Sequence, residues 1–478
     1  MFGRRQLLRD IGTGMGATIV LALAAAFSTV ALAHLLTIEN FGKVSVLLLA
    51  FNLTSTFDAV RPVTIYFANR FADQPQQTFA SIFWMNAGIG GVLGSLLTLA
   101  AFLVPQNLFQ RFELLCLGGV YVLFFLQSAY WGWADAHGLV ARTAIVRALG
   151  MMLVYAAFVA FAAVGIEVNE YAVVLLIATV AMLGALWWIC HSRNLGTAMA
   201  RPDPIIMRAI WRDVRRCMQF NFATLILATV DRLAVSLHGG SRSLGIYSAN
   251  FDLATRPMAL ARAAQSVVNP HITRAVACKG EVFEMFCIGT KAVFGIASLL
   301  VWGALLLREP LIHLLLGPEY NGYQNLFAAV ILAQCFVLLG YSSALLLNSI
   351  GEFRLQKTYY LFAAGLMVVM TFPAAQLMGA IGVAFAYLIV RTVDVWLLHS
   401  ALRAVGQQVL SARVFMVAIA WGGASLAAWL QLTIVCCFGS TLFVVLLWRW
   451  ELTQPFDEQS TAMAIYKNDE GYRSVQST

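Results

Sequence analysis

Residues 11–36 read IGTGMGATIVLALAAAFSTVALAHLL, an apolar run without any Asp, Glu, Lys or Arg. It follows a short segment that carries Arg4, Arg5 and Arg9. A membrane-spanning helix needs about 20 apolar residues, whereas the apolar core of a secretory signal peptide has only about 7 to 15. The run is therefore too long for a signal peptide, and it predicts a first transmembrane helix.

Similar runs recur along the whole chain of 478 residues, of which 60% are hydrophobic and 11% charged. A soluble protein of average composition has about 25% charged residues. The mean hydropathy of +0.78 therefore predicts an all-α integral membrane protein, with about fourteen transmembrane helices by run length. The predicted spans are residues 11–36, 43–68, 79–104, 113–134, 143–165, 171–191, 217–238, 244–271, 284–307, 325–348, 357–378, 380–402, 413–430 and 432–449.

The distribution of Lys and Arg predicts the topology. If the N-terminus is cytoplasmic, about 20 of the 31 basic residues fall in cytoplasmic segments, as the positive-inside rule requires. The external segments hold Lys43, Arg111, Arg242 and Arg308. We therefore expect a multi-pass protein of the bacterial inner membrane with both termini in the cytoplasm. The net charge of +8 then faces anionic membrane lipids and needs no nucleic-acid partner.

The two halves of the chain contain a weak internal repeat. Residues Phe41 to Ser45 read FGKVS and residues Leu244 to Ser248 read LGIYS, each at the start of a predicted span, and each span later contains an Arg-Pro pair, at Arg61 and Arg256. Six helices followed by six more of the same orientation form a parallel repeat about an axis along the membrane normal. The sequence therefore predicts two six-helix lobes plus two C-terminal helices.

The predicted domain boundaries follow from this repeat. They are an N-terminal lobe at 1–192, a cytoplasmic Arg-rich loop at 193–216, a C-terminal lobe at 217–402, two further helices within 413–449 and a cytoplasmic tail at 450–478. The eight cysteines and seven histidines are dispersed without any CxxC or HExxH pattern. We therefore expect no metal site, no cofactor and no disulfide framework.

Several motifs in the C-terminal half, in this order along the chain, resemble those of a known transporter family. They are TVDRLAV at 229–235, SLGIYSANFDLATRP at 243–257, LGPEY at 316–320, NSIG at 348–351 and MGAIGVA at 378–384. In these residues the chain resembles the Wzx-type polysaccharide and oligosaccharide flippases of the multidrug/oligosaccharidyl-lipid/polysaccharide exporter superfamily.

Ionisable residues inside the predicted spans identify candidate functional sites, because each costs about 2.5–3.5 kcal/mol at a helix centre. The predicted intramembrane set is Asp58, Arg61, Arg147, Asp231, Arg232, Asp252, Arg256, Arg262, Lys291, Arg391 and Asp394. Three same-face pairs are expected from i,i+3 or i,i+4 spacing. They are Asp58 with Arg61, Asp252 with Arg256, and Arg391 with Asp394.

Asp231 and Arg232 are adjacent and point apart, so they need partners on other helices. Two interpretations stay open for these two residues and for Arg391 with Asp394: they neutralise one another and hold helices together, or they take part in transport, by contacting the substrate or by coupling. Long side chains near helix ends can also reach water, which fits Arg147 best.

The resemblance implies a cleft between the lobes, lined by helices 1, 2, 7 and 8. Arg61, Arg256 and Arg262 would then lie in a water-filled cavity, with Lys291 at a similar depth. Arginine binds phosphate oxygens in a bidentate manner, so these residues could solvate the head group of an undecaprenyl-pyrophosphate-linked oligosaccharide. Such a flippase would serve the synthesis of exopolysaccharide, capsule or O-antigen (a lipopolysaccharide component), beside a polysaccharide polymerase and glycosyltransferases.

Two alternatives to the flippase predict different sequence features. A multidrug or other small-molecule exporter of the same superfamily should have an excess of carboxylates in its cavity, whereas the intramembrane excess here is cationic. A polymerase-type membrane enzyme should have a large external loop, and the longest one here, near Arg308, is short. Tyr130, Trp131 and Trp133 are typical of an aromatic belt at the membrane interface, and the glycines of 88–94 indicate a helix-packing surface.

Overall fold

The computed structural model describes residues 4–56, 73–103, 111–195, 200–256, 303–350 and 353–394, together with single positions between and beside these ranges. The predicted spans 413–430 and 432–449, the tail at 450–478 and most of the span at 284–307 lie outside the described residues. Asp58, Arg61, Arg262 and Lys291 also lie outside them.

Every regular element in the described ranges is helical. The α-helices are α1 (Arg4–Leu35), α2 (Ile38–Thr56), α3 (Pro75–Leu103), α4 (Arg111–Ala136), α5 (Val140–Val164), α6 (Tyr171–Ser192), α7 (Pro204–Thr255), α8 (Arg308–Leu315), α9 (Gln324–Ile350) and α10 (Phe353–Thr392). Short 3-10 helices lie at Val168–Glu170 and Pro318–Tyr320.

Six of these helices are long and apolar enough to cross a membrane, by length and composition. They are α3, α4, α5, α6 with its preceding 3-10 turn, α7 from Phe222 and α10 from Leu355. Because several helices of one chain meet the requirement, the protein is a multi-pass membrane protein, as predicted.

Helix α7 is a helical hairpin rather than one straight helix. Gly240 interrupts it with φ 67° and ψ −170°, a conformation that glycine adopts at little cost because it has no Cβ. In a straight helix Asp231 and Tyr247 would be about 24 Å apart at 1.5 Å per residue, yet their side chains form a hydrogen bond of 2.8 Å. The arms 204–239 and 241–255 therefore run antiparallel, which agrees with separate predicted spans at 217–238 and 244–271.

Helix α10 has the same construction around Gly379, where φ is 61° and ψ −144°. The Tyr359 hydroxyl donates a hydrogen bond to the carboxylate of Asp394, on the far side of the break. Both interrupting glycines fall within a residue or two of the predicted boundaries, at 238–244 and 378–380.

Helices α1, α3, α4, α5 and α6 pack mainly on one another, and α7, α9 and α10 form a second group. The main connection between the two groups is the contact of α2 with α7. In the first group α3 and α4 approach closely at small residues. A Cβ on Gly94 would lie 2.7 Å from the Gly118 carbonyl oxygen, and one on Gly90 would lie 3.3 Å from the Val122 Cα. The packing interpretation is confirmed for these two glycines, whereas Gly88 and Gly91 have open space around them.

Candidate functional site: buried charges and the contact of two repeat glycines

The α7 hairpin brings together four polar side chains from its two arms. Tyr247 donates a hydrogen bond of 2.8 Å to Asp231 Oδ2, and Arg232 Nη2 lies 2.9 Å from Asp252 Oδ1. The guanidinium of Arg232 also stacks over the ring of Phe251, at 4.9 Å from its centroid. Asp231 and Arg232 thus point to different partners across the hairpin, as their adjacency predicted.

The expected i,i+4 pair between Asp252 and Arg256 is wrong, because Asp252 is paired with Arg232 instead. Arg256 is directed to a different helix. Its guanidinium interacts by charge and hydrogen bond with the hydroxyl of Tyr155 on α5, which also interacts by charge with Asp252 and Arg147. Arg256 therefore lies where the first group of helices meets the end of α7.

The predicted i,i+3 pair of Arg391 and Asp394 is present, with Nη1 and Oδ2 separated by 3.9 Å. The carboxylate of Asp394 also accepts the hydrogen bond from Tyr359, and it packs against Gly340 of α9. A Cβ at Gly340 would lie 2.7 Å from Asp394 Oδ1. Arg391 donates a long hydrogen bond of 3.5 Å to the Leu227 carbonyl oxygen on α7. This pair thus joins α7, α9 and α10.

A row of aromatic and amide side chains links the two ion pairs. Arg391 lies 5.0 Å from the ring centroid of Tyr387, and the Tyr387 ring packs at 5.5 Å against Phe251, under Arg232. Gln334 donates a hydrogen bond of 3.2 Å to the Tyr387 hydroxyl. Tyr247, Tyr359 and Tyr387 could not be predicted as site residues from the sequence, because a tyrosine within an apolar run carries no spacing signal.

Several buried polar atoms of this cluster have no hydrogen-bond partner among the described residues. They are Asp231 Oδ1, Arg232 Nε, Asn250 Oδ1, Arg256 Nε, Arg391 Nε and Asp394 Oδ2. Asp231 and Asp394 are only 1% and 2% exposed. Asp231 therefore keeps one oxygen that can accept a proton or a cation, whereas the second oxygen of Asp394 faces Arg391 at 3.9 Å. Among the described residues, no three His, Cys, Asp or Glu side chains gather into a metal site.

The two repeat segments touch each other at equivalent glycines. A Cβ on Gly245 would lie 2.0 Å from the Ile38 carbonyl oxygen, and one on Gly42 would lie 2.4 Å from the Ser241 carbonyl oxygen and 2.9 Å from the Gly245 nitrogen. These neighbours are backbone atoms, which cannot rotate away. We call this approach of α2 and the second arm of α7 the glycine contact.

The aromatic residues near the end of α4 are inside the protein. Tyr130, Trp131 and Trp133 are 7%, 4% and 1% exposed, and Trp133 Nε1 donates a hydrogen bond of 2.8 Å to the Leu195 carbonyl oxygen. Their interpretation as a lipid-facing belt is therefore wrong. Among the described residues the exposed tryptophans are instead Trp84, Trp187, Trp188 and Trp211.

Truncating Arg232 to alanine should destabilise the protein strongly, because it leaves Asp252 without its cation. Removing one partner of a buried ion pair costs about 3–5 kcal/mol, whereas removing both costs far less. We expect Arg232→Ala to lower the thermal unfolding temperature in detergent, and Arg232→Ala with Asp252→Ala to recover most of the loss. A single variant as stable as the parent chain would contradict this role.

The long apolar helices define a multi-pass membrane protein, and comparison with known proteins gives the family. The profile of the polysaccharide biosynthesis protein family matches residues 31–325. The chain belongs to this flippase family, and through it to the multidrug/oligosaccharidyl-lipid/polysaccharide superfamily that its motifs resemble. It is a transporter and not an enzyme, so the alternative of a polymerase-type enzyme is excluded. No curated protein matches the sequence.

Solved structures have the same fold at low sequence identity. The lipid II flippase MurJ, in its inward closed conformation, matches with a TM-score of 0.67 and 12% identity, over 91% of this chain and 98% of that one. A MATE transporter in complex with MaL6 matches with a TM-score of 0.61 and 13% identity, over 83% of this chain and 95% of that one. A transporter of the superfamily from Pyrococcus furiosus is described as having a binding pocket of reverse polarity. It matches with a TM-score of 0.57 and 14% identity, over 83% of this chain and 94% of that one.

Proposed function

We propose that this protein moves undecaprenyl-pyrophosphate-linked oligosaccharide repeat units across the bacterial inner membrane, for the synthesis of exopolysaccharide, capsule or O-antigen. The family supports a lipid-linked substrate. The observation that carries the proposal is Arg256, an intramembrane cation placed between α5 and the end of α7 rather than in an ion pair with Asp252. Glycosyltransferases would supply the substrate and a polysaccharide polymerase would consume the product.

The substrate head group explains why arginines would be needed at this place. A pyrophosphate with its glycan cannot enter hydrocarbon without substitute solvation. Arginine offers a planar fork of donors that matches phosphate oxygens. In the proposed site Arg256 acts with Arg61, Arg262 and Lys291, while the lipid tail stays in the bilayer.

We infer the remaining architecture from the repeat and from the fold. It has fourteen helices: a lobe at 1–192, a cytoplasmic loop at 193–216, a lobe at 217–402, and two helices within 413–449 before a cytoplasmic tail. Both termini are cytoplasmic. The pairs of Arg232 with Asp252 and of Arg391 with Asp394, together with Asp231, stabilise the second lobe and give it carboxylates that can respond to ions. Asp58 has the corresponding role in the first lobe.

Transport by alternating access requires a contact that closes one end of the path and then opens. The glycine contact has the properties expected of such a closure. It joins α2 to α7, the main connection between the two groups of helices, and it joins equivalent positions of the repeat, so it lies close to the proposed two-fold axis. We infer that it closes the external end of the pathway.

The alternative is a multidrug exporter, which the MATE-like fold favours. The two functions are separated by assaying the purified chain in proteoliposomes with two substrates. A fluorescent undecaprenyl-pyrophosphate oligosaccharide should change leaflet only in vesicles that contain the protein, and a cationic dye should not be transported. Dye transport without lipid translocation would establish the exporter instead.

A further inference from the structure

The first turns of α7, residues 204–215, form what we call the elbow segment. One face of it is buried: Ile206, Ile210 and Val214 belong to the same apolar cluster as Phe79, Trp133 and other residues at the ends of α3, α4 and α6. Those three helices are long and apolar enough to span the membrane. Because the elbow segment packs against their ends, it lies at the depth of the membrane interface.

The elbow segment is fixed at this depth by polar contacts. The backbone nitrogen of Asp203 donates a hydrogen bond of 2.9 Å to Ser81 Oγ on α3. The Asp203 side chain caps the helix by accepting a hydrogen bond of 2.7 Å from the Ile205 nitrogen, and Pro204 occupies the first helical position. Aspartate at the N-cap with proline next to it is a strong helix start. The outward face of the segment is therefore held in one orientation.

That outward face carries a stripe of three exposed arginines, Arg208, Arg212 and Arg215. At about 100° per residue they lie within roughly 60° of one another, on the side of the helix opposite Ile210. Trp211, 48% exposed, and Ile205, 74% exposed, flank the stripe. Arginines between exposed apolar side chains, on a helix at interface depth, are the pattern of segments that bind anionic membrane surfaces.

We propose that the elbow segment binds the head groups of anionic phospholipids through Arg208, Arg212 and Arg215. Trp211 and Ile205 enter the boundary between head groups and acyl chains. The guanidinium groups supply the charge and the paired donors that a phosphodiester accepts. The site lies on the outside of the bundle and is independent of the proposed transport function.

The test measures binding of phosphatidylglycerol and phosphatidylcholine to the full chain purified in detergent, by native mass spectrometry. The variant is Arg208→Gln with Arg215→Gln. Its control is Arg111→Gln with Arg242→Gln, which removes the same charge from two exposed arginines elsewhere. We expect the first pair to weaken phosphatidylglycerol binding roughly 30-fold, which corresponds to about 1 kcal/mol per arginine, and the control pair to leave it unchanged.

A further variant distinguishes this site from the proposed substrate site. Arg256→Ala should bind phosphatidylglycerol as the parent chain does, whatever it does to transport. Equal binding of phosphatidylcholine, unchanged binding in the elbow variant, equal weakening in the control pair, or loss of binding in Arg256→Ala would each overturn the proposal.

Discussion

Valine in place of Gly245 is expected to abolish transport without removing the protein from the membrane. The first added carbon already lies 2.0 Å from the Ile38 carbonyl oxygen and 2.9 Å from its carbonyl carbon. Overpacking of this kind typically costs about 1–3 kcal/mol, and here the opposing atoms are backbone, so α2 and the second arm of α7 must separate. The closed arrangement is destabilised by that amount, and the equilibrium shifts towards the open arrangement.

The measurement has two parts. Glycan export is assayed in cells that depend on the protein, and Ser248, which is fully buried in the parent chain, is replaced by cysteine to test its access to a membrane-impermeant maleimide. Gly245→Val should raise labelling of Ser248→Cys above the background from native cysteines and stop export. Gly88→Val is the matched control, because Gly88 is a helical glycine with nothing within 4 Å of an added Cβ. Normal export by Gly245→Val would show that the glycine contact does not take part in the cycle.

The repeat shows which features could be predicted from the sequence alone and which could not. The equivalence of Phe41–Ser45 and Leu244–Ser248 was readable because both segments begin an apolar run with Phe-Gly or Leu-Gly. That Gly42 and Gly245 touch each other was not readable, because contact between two helices depends on how the groups around them pack. Sequence periodicity gives the faces of single helices, whereas the glycine contact is a property of a pair.

The ion pairs also show that the sequence predicts contacts within one helix but not contacts between helices. The i,i+3 pair of Arg391 and Asp394 was predictable because both residues lie on one helix. The partner of Asp252 was predicted wrongly, since the i,i+4 rule considers only its own helix. The break at Gly240 folds the preceding arm back, and Arg232 then reaches Asp252 at 2.9 Å. A hairpin between two spans thus overrides a local spacing rule.

The prediction for the aromatic residues at the end of α4 was wrong for a related reason. Trp131 and Trp133 have the composition of an interface belt, and position along the helix fits that interpretation. The elbow segment covers this helix end, however, and Ile210 packs in the same cluster as Trp133. A segment that seemed from its arginines to be only a cytoplasmic loop supplies the buried face.

Alanine in place of Arg256 should reduce glycan export by about 30-fold or more, because truncating one partner of a desolvated charged contact costs about 2–5 kcal/mol. The protein should still reach the membrane at close to its normal level, since Asp252 keeps Arg232 as its partner. Arg256→Lys retains the charge but loses the bidentate fork, so it should give a partial defect. Export is compared with the amount of protein in isolated membranes.

The neighbouring residue Tyr155 provides the decisive control for that result. Arg256 contacts its hydroxyl, so Arg256 could act by holding α5 against α7 instead of by binding phosphate. Tyr155→Phe removes the hydroxyl and leaves the guanidinium and the ring in place. If Arg256 binds the pyrophosphate, Tyr155→Phe should export normally while Arg256→Ala does not. If both variants lose export to the same extent, or if Arg256→Ala fails to accumulate, the contact between the two helices is the function of Arg256. A phosphate-binding role in turn predicts that Arg256→Ala impairs translocation of the fluorescent lipid-linked oligosaccharide in proteoliposomes, where the amount of folded protein is fixed.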